Sequence, residues 1–283
     1  MLDEIKTEHR SLLPDEMIYA DDCDFITERL TTRDVIAREV SDILNAGNLI
    51  VNQSKTENIV IERKDKGNET WRSTKKLGNL LGDQEDMQKR KTLAMTAMNK
   101  MNKIWIRGKK VDIKRRLKLY NILVKPVLTY NASTWGMTKA EAESMDAFHR
   151  KQLRRIWNIN WKDKMRNENL YRISEARPIT QDITAARWKL FGHCLRLKRD
   201  TPAQKSMDYF FENHEQRKKY RGRPRETLVK TLEKDIIKLN QRDPILMPIN
   251  KIKEAIDLSA LRQIANDRVQ WKKIVELTID DTY

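Results

Sequence analysis

The chain has 283 residues, 35% of them charged, a net charge of +16 and a mean hydropathy of −0.76. Its two cysteines, Cys23 and Cys194, and four scattered histidines give neither a disulfide framework nor zinc-ligand spacing. No signal peptide and no apolar run of membrane-spanning length is found, so an intracellular protein, nuclear or cytoplasmic, with no membrane partner is expected. The charge is divided unevenly. Residues 1–62 carry 6 Lys+Arg against 14 Asp+Glu, net −8, and the remaining 221 carry 51 against 27, net +24. The basic part has the sign needed to hold a phosphate backbone, which points to a nucleic-acid partner.

In chain order, Met17, Ile18 and Tyr19 read as the end of one short strand and Cys23, Phe25 and Ile26 as the start of the next. Ala20-Asp21-Asp22 then falls in or beside the turn and presents two carboxylates together. Hard divalent cations such as Mg2+ bind through one or two carboxylates plus water and substrate phosphates. Paired aspartates in a tight turn also arise from backbone hydrogen bonding alone. A helix follows, with Thr31 or Thr32 as N-cap, Ile36, Val40, Ile43 and Leu44 at helical spacing and Gly47 as the stop. Asn52-Gln53-Ser54-Lys55-Thr56-Glu57 leads into an apolar strand, Ile59-Val60-Ile61. Lys76-Leu77-Gly78-Asn79-Leu80-Leu81-Gly82 then reads as a second tight hairpin.

The basic part begins with helices. Met87, Ala94, Met98, Met101 and Trp105 recur at helical spacing, as do Ile113, Leu117, Tyr120 and Val124, and these are core stripes. Lys89, Arg90, Lys91, Lys100 and Lys103 in the first, with Lys114, Arg115, Arg116 and Lys118 in the second, cover the other faces. Thr138-Lys139-Ala140-Glu141 is a capping-box pattern opening a helix with Met145, Phe148 and Ile156 inward, ending near Trp157 to Trp161. There Arg150, Lys151, Arg154 and Arg155 stand beside tryptophans that serve either as core or as stacking surfaces for unpaired bases. A further helix is expected from Ile179 to about Leu197, with Ile183, Ala186 and Leu190 inward. Residues 212–226 lack apolar periodicity and read as a basic linker. The Arg221, Arg223 and Arg225 core of that linker resembles an AT-hook or a nuclear import signal. Helical patterning resumes at Leu228–Leu239 and again from about Leu258 to Leu277. The expected fold class is α+β, mostly α.

The order of these segments resembles the reverse transcriptase of non-long-terminal-repeat (LINE-type) retrotransposons. Tyr19-Ala20-Asp21-Asp22 resembles that family's catalytic motif C. Asn52 to Glu57 resembles its motif D, and Leu77-Gly78-Asn79-Leu80-Leu81-Gly82 its primer-grip hairpin. Arg187-Trp188-Lys189-Leu190-Phe191-Gly192-His193, Arg221-Gly222-Arg223-Pro224-Arg225 and Asp267-Arg268-Val269-Gln270-Trp271 resemble segments of its carboxy-terminal region. The resemblance implies a partial polymerase palm over 1–82, a helical thumb over 83–160 and a basic helical region over 161–283. It implies Asp21 and Asp22 as catalytic magnesium ligands, Lys55 as the group assisting pyrophosphate departure, and an RNA template and DNA primer as partners. Nucleic-acid contacts would come from Tyr19, Leu77, Gly78, Lys100, Lys103, Arg115, Arg116, Arg154, Arg155, Arg221, Arg223 and Arg225. The family's motif A aspartate, motif B and fingers have no counterpart in residues 1–18, so a carboxy-terminal fragment with little polymerase activity of its own is expected, completed by palm and fingers in trans. The alternatives are a noncatalytic RNA- or DNA-binding module and a decayed remnant.

Overall fold

The structure is a computed structural model that describes residues 16–19, 22–27, 30–61, 70–102, 111–212, 226–243, 245 and 258–279. It is mostly helical, with two separate two-stranded antiparallel ladders. The chain divides into two units, one comprising Met1–Val60 with Leu197–Arg217 and the other Ile61–Arg196 with Lys218–Tyr283.

In the first unit β1 (Glu16–Tyr19) pairs with β2 (Asp22–Phe25), Glu16 opposite Phe25 and Tyr19 opposite Asp22. Helix α1 spans Leu30–Ala46. Thr31 and Thr32 thus lie inside its first turn rather than capping it. Its far end also differs from expectation. Asn48, not Gly47, takes the left-handed conformation (φ 57°), and Leu49 N–H donates to the Leu44 carbonyl at 2.8 Å while Asn48 N–H donates to Asn45. This is a Schellman cap, in which asparagine substitutes for the usual glycine. The strand expected at Ile59-Val60-Ile61 does not form; these residues are irregular, with Val60 and Ile61 exposed. Among the described residues no strand pairs with them, and an unpaired apolar run does not make a strand. Helix α8 (Pro202–Glu212), for which no pattern was read, also belongs to this unit.

The second unit opens with a 3-10 turn at Thr70–Ser73, then β3 (Lys75–Lys76) and β4 (Asn79–Leu80), paired Lys76 to Asn79. Helix α2 (Asp83–Met101) buries Met87, Ala94, Met98 and Met101 of the expected stripe, and Arg90 with them; Trp105 lies outside the described residues. The next helix runs through α3 (Ile113–Leu119), a π turn (Tyr120–Val124) and α4 (Lys125–Leu128). Pro126 explains the π turn. Proline has no N–H to give the Ile122 carbonyl and its ring crowds that oxygen, so the helix widens by one residue just before it. Tyr120, Val124 and Leu128 consequently share the buried face.

Helix α5 (Lys139–Trp157) starts on the capping box read from the sequence: Thr138 Oγ1 accepts from Glu141 N–H, and Glu141 Oε2 accepts from Thr138 N–H at 2.8 Å. Its end is a second Schellman cap on asparagine, at Asn158 (φ 58°). Helices α6 (Asn167–Ile173) and α7 (Ile179–Arg196) follow, the latter started by Asp146 of α5, whose carboxylate accepts from Thr180 N–H and Oγ1. Ile183 is inward as expected, but Ala186 and Leu190 are exposed; the buried face is instead Arg187, Trp188, Phe191, Gly192 and Leu195. The face turns because Arg187 has a carboxylate partner on that side. Asp235 of α9 (Leu228–Arg242) receives Arg187 at 3.4 Å and Trp188 Nε1 at 3.1 Å. The helix expected over 258–277 is two, α10 (Ser259–Asn266) and α11 (Arg268–Leu277). Asp267 leaves the helical conformation between them and accepts from Val269 and Gln270 N–H, capping α11.

A pH dependence is built into the main core. His149 is buried, hydrogen-bonded to the Tyr120 hydroxyl at 2.7 Å and stacked with Tyr120 and Tyr171. Burial, then the Lys125 ammonium, pushes its pKa down to about 4. The folded state therefore favours neutral imidazole, and below the unfolded value near 6.5 the unfolded chain binds the extra proton. Stability that depends on His149 is full above pH 6.5 and falls on the order of 3 kcal/mol as pH drops toward 4. Burial raises Asp83, Asp146 and Asp235, which act in the opposite sense at acid pH. The difference between wild type and His149→Gln in urea titrations at pH 7 and pH 4.5 isolates the histidine; parallel pH profiles would refute its role.

Candidate nucleic-acid interface

The antiparallel ladder of β1 and β2 ends on the pair Tyr19 and Asp22, the first and last residues of the Tyr-Ala-Asp-Asp segment. Asp22 begins β2 and Tyr19 ends β1, both at the level of the backbone; Asp21 lies outside the described residues. Among the described residues no group of three or more His, Cys, Asp or Glu side chains is placed to hold a metal ion. In the same unit Lys55 is exposed in a turn organised by Asn52, whose Oδ1 accepts from Ser54 N–H at 3.1 Å and Ser54 Oγ at 2.7 Å. Lys55 N–H itself donates to the Asn52 carbonyl at 3.0 Å. This Asx turn fixes the backbone of the segment and leaves the lysine side chain in solvent.

The β3–β4 hairpin is the most tightly held of the candidate elements. Its two-residue loop is Leu77-Gly78, both left-handed (φ 46° and 82°), the pattern of a type I′ turn. Glycine adopts that conformation freely, whereas leucine pays roughly 1 kcal/mol for it. Leu77 is nevertheless 51% exposed at the tip. What holds the loop lies beneath it. The Gly78 carbonyl accepts from Lys89 Nζ at 2.8 Å and Arg90 NH2 at 2.7 Å, and Arg90 also donates to Asn79 Oδ1. The Tyr130 hydroxyl donates to the Leu77 carbonyl at 3.2 Å, and the Arg90 guanidinium lies over the Tyr130 ring at 4.4 Å. Asp86, 1% exposed, ties this layer to the core: Oδ1 accepts from Leu80 N–H at 3.0 Å and stands 3.6 Å from Arg90 Nε, while Oδ2 accepts from Trp135 Nε1 at 3.2 Å. The expected outward-facing Arg90 is thus an inward one, drawn there by Asp86 and the hairpin carbonyl.

The other basic residues separate into exposed and structurally engaged sets. Lys100 on α2 and Lys114, Arg115 and Lys118 on α3 are exposed, Arg115 standing 3.6 Å from Asp112 at the start of α3. Arg116 is half-buried and donates to the Val111 carbonyl at 2.8 Å. Arg154 reaches the Met165 carbonyl and Asn167 Oδ1, and Arg155 reaches Asn99 Oδ1 at 2.8 Å, linking α5 to α2. These three arginines carry structural bonds that a nucleic acid would have to share. Lys103, Arg221, Arg223 and Arg225 lie outside the described residues.

Two of the carboxy-terminal segments singled out in the sequence meet in space. Trp271 Nε1 donates to the Trp188 carbonyl at 3.0 Å, and the rings of Trp188, Phe191 and Trp271 form one cluster with centroids 5.5 to 6.1 Å apart. They are buried core, not a site. The tryptophans near the end of α5 divide: Trp157 is half-buried with Nε1 donating to Ser174 Oγ, whereas Trp161 is 84% exposed. No helix among the described residues is long and apolar enough to cross a membrane. No family model, curated protein or solved structure matches the chain.

Proposed function

We propose that this chain is part of a LINE-type reverse transcriptase, an intracellular RNA-directed DNA polymerase, comprising the end of its palm, a helical thumb and a basic carboxy-terminal region. The observation that carries this reading is the order of elements. The Tyr-Ala-Asp-Asp sequence, whose Tyr19 and Asp22 end an antiparallel ladder, is followed by a helix, an Asn-Gln-Ser-Lys turn, a Leu-Gly hairpin and a basic helical body. Asp21 and Asp22 are the residues that would hold magnesium. When bound, a metal pair of this kind stabilises the attacking hydroxyl and the leaving pyrophosphate. Lys55, solvent-facing in its turn, is free to donate a proton to departing pyrophosphate, an effect typically worth about 10²–10⁴ in rate. Lys100, Lys114, Arg115 and Lys118 supply phosphate contacts, sequence-independent and salt-sensitive.

Complete catalysis on this reading draws a further carboxylate and the template-holding elements from palm and finger segments beyond these 283 residues. The protein alone is expected to incorporate little labelled nucleotide on a primed RNA template. Joined to, or mixed with, the upstream palm and fingers of the same element, it is expected to incorporate nucleotide in magnesium, and Asp21→Ala is expected to abolish that. Activity unaffected by Asp21→Ala would overturn the assignment. The exposed lysines of α2 and α3 favour a second reading, a noncatalytic module whose binding to RNA or DNA survives Asp21→Ala with Asp22→Ala.

A further inference from the structure

We infer that Trp161 is a stacking platform for an unpaired base, making the turn after α5 a binding site for single-stranded nucleic acid. This deepens the reading above and rests on it only insofar as the helical body binds nucleic acid. Tryptophan is the side chain with the most to gain from burial, and an exposure of 84% is unusual for it. The ring is not on a loose loop. Trp161–Asp163 forms a 3-10 turn closed at its start, where Asn160 N–H donates to Asp163 Oδ2 at 2.6 Å and Asp163 N–H donates to the Asn160 carbonyl at 3.1 Å. Lys164 closes the turn in the left-handed conformation (φ 45°), its N–H on the Trp161 carbonyl. Arg154 then ties the following residues to α5 through Met165 and Asn167. The backbone carrying the indole is therefore fixed from both sides while most of the ring meets solvent.

The surroundings have the chemistry of a nucleotide. Lys162, Lys164 and Arg166 are all exposed within five residues of the ring, and the Lys162 ammonium lies 6.0 Å from its centroid. The one carboxylate among them, Asp163, is occupied by backbone N–H. An aromatic ring with exposed cations beside it in the chain accepts a splayed base and its flanking backbone, whereas a stacked base in a duplex offers no free face. A protein partner would be expected to meet a wider apolar surface than a single indole among three cations.

The test uses the purified full chain and fluorescently labelled 20-nucleotide RNA, DNA of the same sequence, and the corresponding duplex, followed by anisotropy. Trp161→Ala is expected to weaken both single strands roughly ten-fold and the duplex less than about two-fold, with Trp161→Phe retaining most of the affinity. An unchanged thermal melt is expected for both variants, since the ring is exposed. Lys162→Gln with Lys164→Gln is expected to reduce the single-strand salt slope by about 1.4. Equal losses on duplex and single strand, or none, would overturn the inference while leaving the polymerase reading intact, and the latter result would leave the ring to a protein partner. Single-strand loss together with inactive reconstituted polymerase would do the reverse. Preference for RNA over DNA identifies which strand the platform serves.

Discussion

Asp86→Ala is expected to destabilise the second unit by about 3–5 kcal/mol and to release the β3–β4 hairpin from α2. The carboxylate is buried and accepts from two hydrogen-bond donors, the Leu80 amide and the Trp135 indole, beside a guanidinium that is itself only 6% exposed. Removing it leaves the two donors without their acceptor and the guanidinium without its facing charge. A buried unpaired donor costs about 1–3 kcal/mol and a buried charge stripped of its partner more. The loss falls first on the loop, because Arg90 is the residue that grips the Gly78 carbonyl and Asn79. Leu77 sits in a left-handed conformation that these bonds, with those from Lys89 and Tyr130, hold against its own preference. Asp86→Asn keeps an oxygen acceptor but removes the charge that faces Arg90, and an intermediate loss is expected. Urea denaturation gives the magnitude, and hydrogen exchange at the Leu80 amide reports the hairpin directly. A loss below about 1 kcal/mol would show that the hairpin is not anchored through this carboxylate. On the proposed function, the same variant weakens the grip on a primer end without touching Asp21 or Asp22.

What was legible in the sequence was local. The capping box at Thr138 and Glu141, the tight Leu77-Gly78 turn and the methionine stripe of α2 depend on residues within a few positions of one another, and they stand as read. What was not legible depended on distant partners. Arg90 and Arg187 are charged and were assigned to solvent or left unplaced; each is buried because a carboxylate or carbonyl waits for it, and Asp235 lies 48 residues from Arg187. Placing Arg187 inside rotates the inward face of α7 away from Ala186 and Leu190. The same holds at the interface. Arg155 looks like a free phosphate ligand until Asn99, 56 residues earlier, is found against it. The break at Asp267 is different, since an aspartate before Arg-Val-Gln is an N-cap signal that apolar periodicity on both sides concealed. The Asp-Asp pair was legible only through the order of its neighbours, because two adjacent acids carry little information by themselves.

Gly192→Ala is expected to cost about 2–4 kcal/mol, although alanine in a helix interior ordinarily gains about 1 kcal/mol over glycine. The sign is reversed by one aromatic ring. A Cβ built on Gly192 would stand 2.1 Å from Trp271 Nε1, 2.4 Å from Cε2 and 2.8 Å from Cδ1, well inside contact distance. The indole cannot swing aside cheaply. It is 4% exposed, wedged against Trp188 and Phe191, and its N–H is spent on the Trp188 carbonyl. Relief requires α11 to move off α7, which opens the aromatic cluster and breaks that hydrogen bond. The cause can be isolated with Trp271→Leu, which shortens the offending side chain. In that background Gly192→Ala is expected to lose most of its penalty, a coupling of 1 kcal/mol or more between positions 79 residues apart. Urea melts of the wild type, the two single variants and the double variant complete the cycle. Stabilisation by Gly192→Ala in the wild-type chain would mean that the helices do not approach this closely. The coupling, if found, makes the Arg187–His193 and Asp267–Trp271 segments two halves of one packing device, a glycine on one helix receiving the tryptophan of the other.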